Sequence, residues 1–159
     1  MSQQKISLEK FLEAVDATNK PFVQKIDDYM LNNGCKGTFE EKKTGLFCSY
    51  KHTKTKKSVA NLFLKEQDLS VRIYGENIDS YSDFLNTLPT EMVTSIEEAG
   101  VCKRLVHNTC SPKCSGYDFT IDEKHFQKCR YGCFEFLVTD ESLPFIESFL
   151  QHEVEKRAI

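Results

Sequence analysis

Cys110 and Cys114 bracket Ser-Pro-Lys, and Cys129 and Cys133 bracket Arg-Tyr-Gly, so the chain carries two thiol pairs of the same spacing about fourteen residues apart. Four thiols delivered by two tight turns suit the tetrahedral, all-sulfur shell of a structural zinc ion. The first pair resembles a lengthened zinc-ribbon knuckle: Pro112 fixes the turn, and Gly116 is expected to relieve crowding behind the second sulfur. Zinc held by four thiolates carries excess negative charge, and Lys103, Arg104, Lys113, Lys124, Lys128 and Arg130 are the nearby cations that would offset it.

Other readings of the same thiols remain open. Cys102 or His107 can replace one of the four ligands, and an iron-sulfur cluster also uses four cysteines. A redox sensor or thiol enzyme would use either pair as a switch, its thiol pKa values lowered by the flanking cations. Free thiols, some buried as small hydrophobes, are the plain structural alternative. Cys35 and Cys48 stand apart from the cluster and are expected in the core.

Little else in the chain points to chemistry. The acidic pairs Asp27-Asp28, Glu40-Glu41 and Glu97-Glu98 read as solvated faces, because adjacent side chains diverge on helices and strands. His125 in a hairpin and His152 on the last helix read as surface or packing residues. No phosphate-binding glycine loop, zinc-protease helix or nucleophile elbow occurs, and four thiolates would leave a zinc ion no open position for catalysis. An enzyme is therefore not the leading expectation.

The elements that must position the thiols follow from periodicity. Phe11, Leu12 and Val15 predict a first helix capped by Ser7; Phe22, Ile26, Tyr29 and Met30 predict a second over 20–33, with Pro21 in its first turn and Gly34 ending it. Period-two alternation then predicts an antiparallel meander of about four strands: 37–42, one around 46–50, 58–65 and 69–74. A short helix capped by Asn77 or Asp79 follows, then one from Pro89-Thr90 to Gly100. Tyr117–Ile121 and His125–Lys128 read as hairpin arms around Asp122-Glu123-Lys124. Phe134, Phe136 and Val138 predict a strand, and Ser142 and Pro144 open a C-terminal helix with Phe145, Ile146, Phe149, Leu150 and Val154.

The 159 residues are expected to make a single α+β domain: an antiparallel sheet packed with N- and C-terminal helices, plus a cysteine-rich metal-binding hairpin lobe at about 102–133. A composition of 40% hydrophobic and 28% charged residues excludes a disordered chain. The net charge of −3 supplies no global attraction to nucleic acid or anionic membrane, so either would need a local basic patch. The run Lys51-His52-Thr53-Lys54-Thr55-Lys56-Lys57 is the most basic stretch and reads as a polar loop between strands. The opening residues lack a secretion signal, and no stretch approaches the roughly 18 apolar residues of a membrane span, so a cytoplasmic location is expected. A protein or small molecule is the expected partner, and nucleic acid is not.

The helix pair, the segment Leu46-Phe47-Cys48-Ser49-Tyr50 and the segment Leu69-Ser-Val-Arg-Ile-Tyr74 together resemble the small YdhG-like α+β domains over roughly the first 100 residues. Some members of that family are described as iron chaperones, so the resemblance implies metal delivery as an alternative role. The segment 102–133 lies outside that pattern and would be an addition to the scaffold.

The sequence reading is thus a small binding or interaction module with a non-catalytic zinc site at Cys110, Cys114, Cys129 and Cys133.

Overall fold

A computed structural model describes residues 4–102, 105 and 116–157. The chain is α+β. Six strands form an antiparallel sheet in the order β1-β2-β3-β4-β5-β8, and β6 and β7 form a separate hairpin. The chain divides into two compact units, Met1–Val71 with Leu137–Thr139, and Arg72–Phe136 with Asp140–Ile159.

In the first unit, β1 (Gln4–Ile6) leads into α1 (Leu8–Ala14), whose Ser7 cap accepts a hydrogen bond from the Lys10 amide at 3.1 Å. Then α2 (Lys20–Asn32) starts with Pro21 in its first turn and runs into Gly34, which takes φ +78°, a left-handed conformation that favours glycine. The strands β2 (Cys35–Lys42), β3 (Gly45–His52) and β4 (Ser58–Lys65) form a meander that continues into β5 (Asp68–Ile73). β1 adds an outer strand that periodicity does not announce, because three residues are too few to show an alternation; it pairs Ile6 with Phe39.

Strand register separates two faces. Phe39, Cys48 and Leu62 are successive partners and are buried, and Phe11 of α1 meets Phe39 edge-on at 5.5 Å. Their neighbours Glu40, Phe47 and Phe63 are successive partners on the other face and are half-buried. On α2, Asp27 departs from the expected solvated face: it is 5% exposed and accepts the Tyr50 phenol proton at 2.8 Å. A buried phenol without that acceptor would carry an unmet hydrogen bond, so the helix turns a carboxylate inward to meet it.

The second unit opens with two 3-10 turns, Ile78–Ser80 and Ser82–Thr87, in place of the single short helix expected there. Asn77 does not cap the first with its side chain; its amide nitrogen donates to Glu153 instead. After α3 (Thr90–Glu98) come β6 (Tyr117–Ile121), β7 (Lys124–Lys128), β8 (Glu135–Leu137) and α4 (Leu143–Arg157). The hairpin turn is two residues long, with Ile121 opposite Lys124, and Asp122 and Glu123 both adopt positive φ. Such a turn matches the twist of the flanking strands better than the three-residue connection expected.

Glu153 on α4 has no solvent exposure, and its carboxylate is saturated by donors. It accepts from the Asn77 backbone and side-chain amides at 3.1 and 2.9 Å, the Tyr81 hydroxyl at 2.5 Å and Arg157 Nε at 2.7 Å. Arg157 in turn donates to the Tyr74 carbonyl at 2.9 Å. These bonds offset the desolvation of the buried ion pair and tie α4 to the start of the unit. Glu153→Ala would strand the Arg157 cation, and we expect a stability loss of about 3–5 kcal/mol in urea unfolding. Glu153→Gln, which keeps part of the hydrogen bonding, should lose less.

Candidate metal centre

The hairpin β6–β7 places the second cysteine pair. Beside β7, the chain from Gly100 to Cys102 runs as a short antiparallel partner: Cys102 donates to the Gln127 carbonyl and Cys129 to that of Gly100, both at 2.9 Å, with Val101 opposite Lys128. At the end of β7 the backbone closes a turn in which the Cys133 amide donates to the Cys129 carbonyl at 3.0 Å. That four-residue closure repeats the geometry of one helical turn and brings the two thiols to one side. Cys129 is half-buried and Cys133 fully buried.

The hairpin is fixed by packing. The Tyr117 ring lies 4.8 Å from that of Phe134 and Phe119 lies 5.4 Å from it, while Phe134 meets Phe149 of α4 edge-on at 5.0 Å. The Tyr117 hydroxyl accepts from the Gly75 amide at 2.9 Å. Cys133 therefore follows from the placement of Phe134, its immediate neighbour in this aromatic cluster.

The three expected counter-charges among the described residues are each engaged elsewhere. Lys128 is buried and donates to the carbonyls of Glu97 and Ala99 at 2.8 Å each, capping the C-terminal end of α3. Lys124 pairs with Glu97 at 2.5 Å, and Arg130 pairs with Glu76 while lying against the rings of Tyr74 and Tyr131. Burial raises the Cys133 thiol well above its ordinary value; Lys128 opposes the shift and a charge on Cys129 would add to it. The expectation that flanking cations lower the thiol pKa values therefore fails at Cys133, because desolvation outweighs a cation already committed to backbone carbonyls.

Cys110, Cys114 and His107 lie outside the described residues, as do Lys103, Arg104 and Lys113. Among the described residues, no three His, Cys, Asp or Glu side chains come together in a way that could hold a metal ion, and the cysteines among them are Cys35, Cys48, Cys102, Cys129 and Cys133. Cys35 and Cys48 are buried in the first unit, and burial raises the Cys48 thiol. Cys129 and Cys133 are joined by one backbone-closed turn, and a charge on Cys129 is felt at Cys133. His125 is exposed and bonded to Asp118 at 2.6 Å, and His152 stacks on Tyr81 at 5.3 Å, so both serve surface or packing roles.

Gly116 has a role that its sequence position assigns elsewhere. A Cβ there would stand 2.2 Å from the Cys102 sulfur and 2.7 Å from its Cβ, so the missing side chain makes room for Cys102. Cys102 is the residue of this region that sequence spacing leaves undecided, and the signal for it is the glycine rather than another cysteine.

Two outcomes follow. Gly116→Ala should cost about 1–3 kcal/mol in chemical unfolding, with Cys102→Ala in the same chain recovering part of the loss. In the metal-free chain at about pH 8, alkylation followed by peptide mapping should label Cys129 well before Cys133, since the thiolate is the reactive form. No protein-family model matches the chain, and neither a curated protein nor a solved structure matches it at a significant level.

Proposed function

We propose that this chain is a non-catalytic binding module in which Cys110, Cys114, Cys129 and Cys133 hold one structural zinc ion. The observation that carries the reading is the closed backbone turn from Cys129 to Cys133, anchored by the buried Phe134 that follows it. The ion would cross-link Cys110 and Cys114 to the turn at Cys129 and Cys133. A thiol as deeply buried as Cys133 is poorly disposed to ionise alone, and a divalent cation is the kind of partner that makes its thiolate stable.

The same burial weighs against Cys133 as the sensing thiol of a redox switch, because such a thiol must be accessible and readily ionised. A closed four-sulfur shell also gives no open position for substrate, which favours holding over chemistry.

Elemental analysis of the purified protein should find about one zinc per chain, tightly held against dialysis. Cys129→Ser should lose most of the metal and lower the unfolding midpoint, while Cys48→Ser should keep the metal. Retention of zinc by Cys129→Ser together with its loss from Cys102→Ser would move the ligand set to Cys102. Absence of zinc from a wild-type chain of undiminished stability would end the proposal.

A further inference from the structure

The first unit carries an aromatic pair on the face of the sheet that its core does not use. Phe39, Cys48 and Leu62 point to the buried side, and the alternation of the strands puts Phe47 and Phe63, direct partners across β3 and β4, on the opposite side. Their rings are 5.2 Å apart, tilted by 49°, and both are half-buried. Lys42 holds its ammonium 3.9 Å from the centre of the Phe47 ring. A cleft of about 210 Å³ runs beside the pair, lined by both rings and by Lys42 and Lys65.

Charge on this face is arranged against folding stability. Lys36 and Lys51 are exposed and stand directly opposite each other, with Lys51 on the same face as Phe47. Like charges at such a position repel, and a bound anion would relieve them. Between these lysines and the phenylalanines lie Thr38 and Ser49, partners of each other and hydrogen-bonding in character. Glu40, opposite Phe47, is the acidic residue in this patch. The first unit as a whole has twelve lysines against nine acidic residues, although the full chain is net negative.

We propose that the face of β2, β3 and β4 bearing Phe47 and Phe63 binds single-stranded nucleic acid. The Phe47 ring offers a stacking surface to an unpaired base, and flanking lysines pair with the phosphates. A base arriving on Phe47 displaces the Lys42 ammonium, whose flexible four-carbon stem lets it move onto a phosphate. Lys36 and Lys51 take the backbone farther along the strand, about 13 Å from Phe47 at the rise of an extended chain. A base-paired duplex hides the faces that the rings would stack on, so the site discriminates by strandedness more than by sequence. The inference rests on the binding-module reading but uses none of the cysteines.

Fluorescence anisotropy of the full-length chain with a labelled oligouridine or oligothymidine of about 12 nucleotides tests it, with zinc content measured on the same sample. Saturable binding should weaken roughly tenfold or more between about 50 and about 200 mM salt. Phe47→Leu, which keeps an apolar side chain but loses the ring, should weaken binding about tenfold at an unchanged melting temperature. Lys51→Glu should also weaken it and flatten the salt dependence. The proposal is overturned by no binding at the lower salt, by a duplex or heparin competing as well as the single strand, or by a well-folded Phe47→Leu that binds like the wild type. Equal competition by polyglutamate would overturn it in favour of an acidic protein partner. Failure with zinc present at full occupancy leaves the metal reading standing, whereas absent zinc with intact binding sinks only the metal reading.

Discussion

The ring of Phe134 is the point on which the second unit depends. It is fully buried, it contacts Tyr117 and Phe119 of the hairpin and Phe149 of α4, and its carbonyl accepts the Ile73 amide at 2.9 Å. One residue therefore joins three elements through ring packing and a strand hydrogen bond at once. Such aromatic contacts contribute through buried area and edge-to-face geometry together. Because Cys133 immediately precedes it, the position of the sulfur is a consequence of where this ring must lie.

That coupling explains the character of the thiol pair. Cys129 remains partly accessible at the end of β7, while Cys133 is drawn into the protein with Phe134. Desolvation then sets the ionisation of Cys133, and Lys128, the cation that opposes it, already satisfies the carbonyl end of α3. Among the described residues, the buried ion pair of this unit lies elsewhere, at Glu153 and Arg157, where four donors meet one carboxylate. The contrast shows what a buried ion needs: Glu153 has its full complement of donors, whereas among the described residues desolvation of a Cys133 thiolate outweighs the one cation that opposes it.

The two units also differ in how charge is distributed. The first holds most of the lysines and an aromatic pair on the polar face of its meander, and the second holds the acidic excess and five of the seven cysteines. The sum over the whole chain conceals both. A net charge of −3 is therefore a poor guide to partners here, because attraction acts over a Debye length of roughly 8 Å rather than over the molecule.

Local pattern made much of the architecture legible. Ser7, Pro21 and Gly34 mark helix ends by their own backbone chemistry, and alternation marks β2 to β5 and the hairpin, so these elements stand close to where the sequence places them. β1 was not legible because three residues carry no period, and the 3-10 turns were not because Asn77 is claimed by Glu153, a residue 76 positions away. Composition and spacing by themselves determined an α+β chain with two equally spaced thiol pairs. Tertiary structure alone decided that Asp27 turns inward to Tyr50, that Gly116 makes room for Cys102, and that burial rather than neighbouring lysines governs Cys133. The physical reason is that desolvation and close packing depend on residues distant in sequence, while caps, turns and strand periods depend on neighbours.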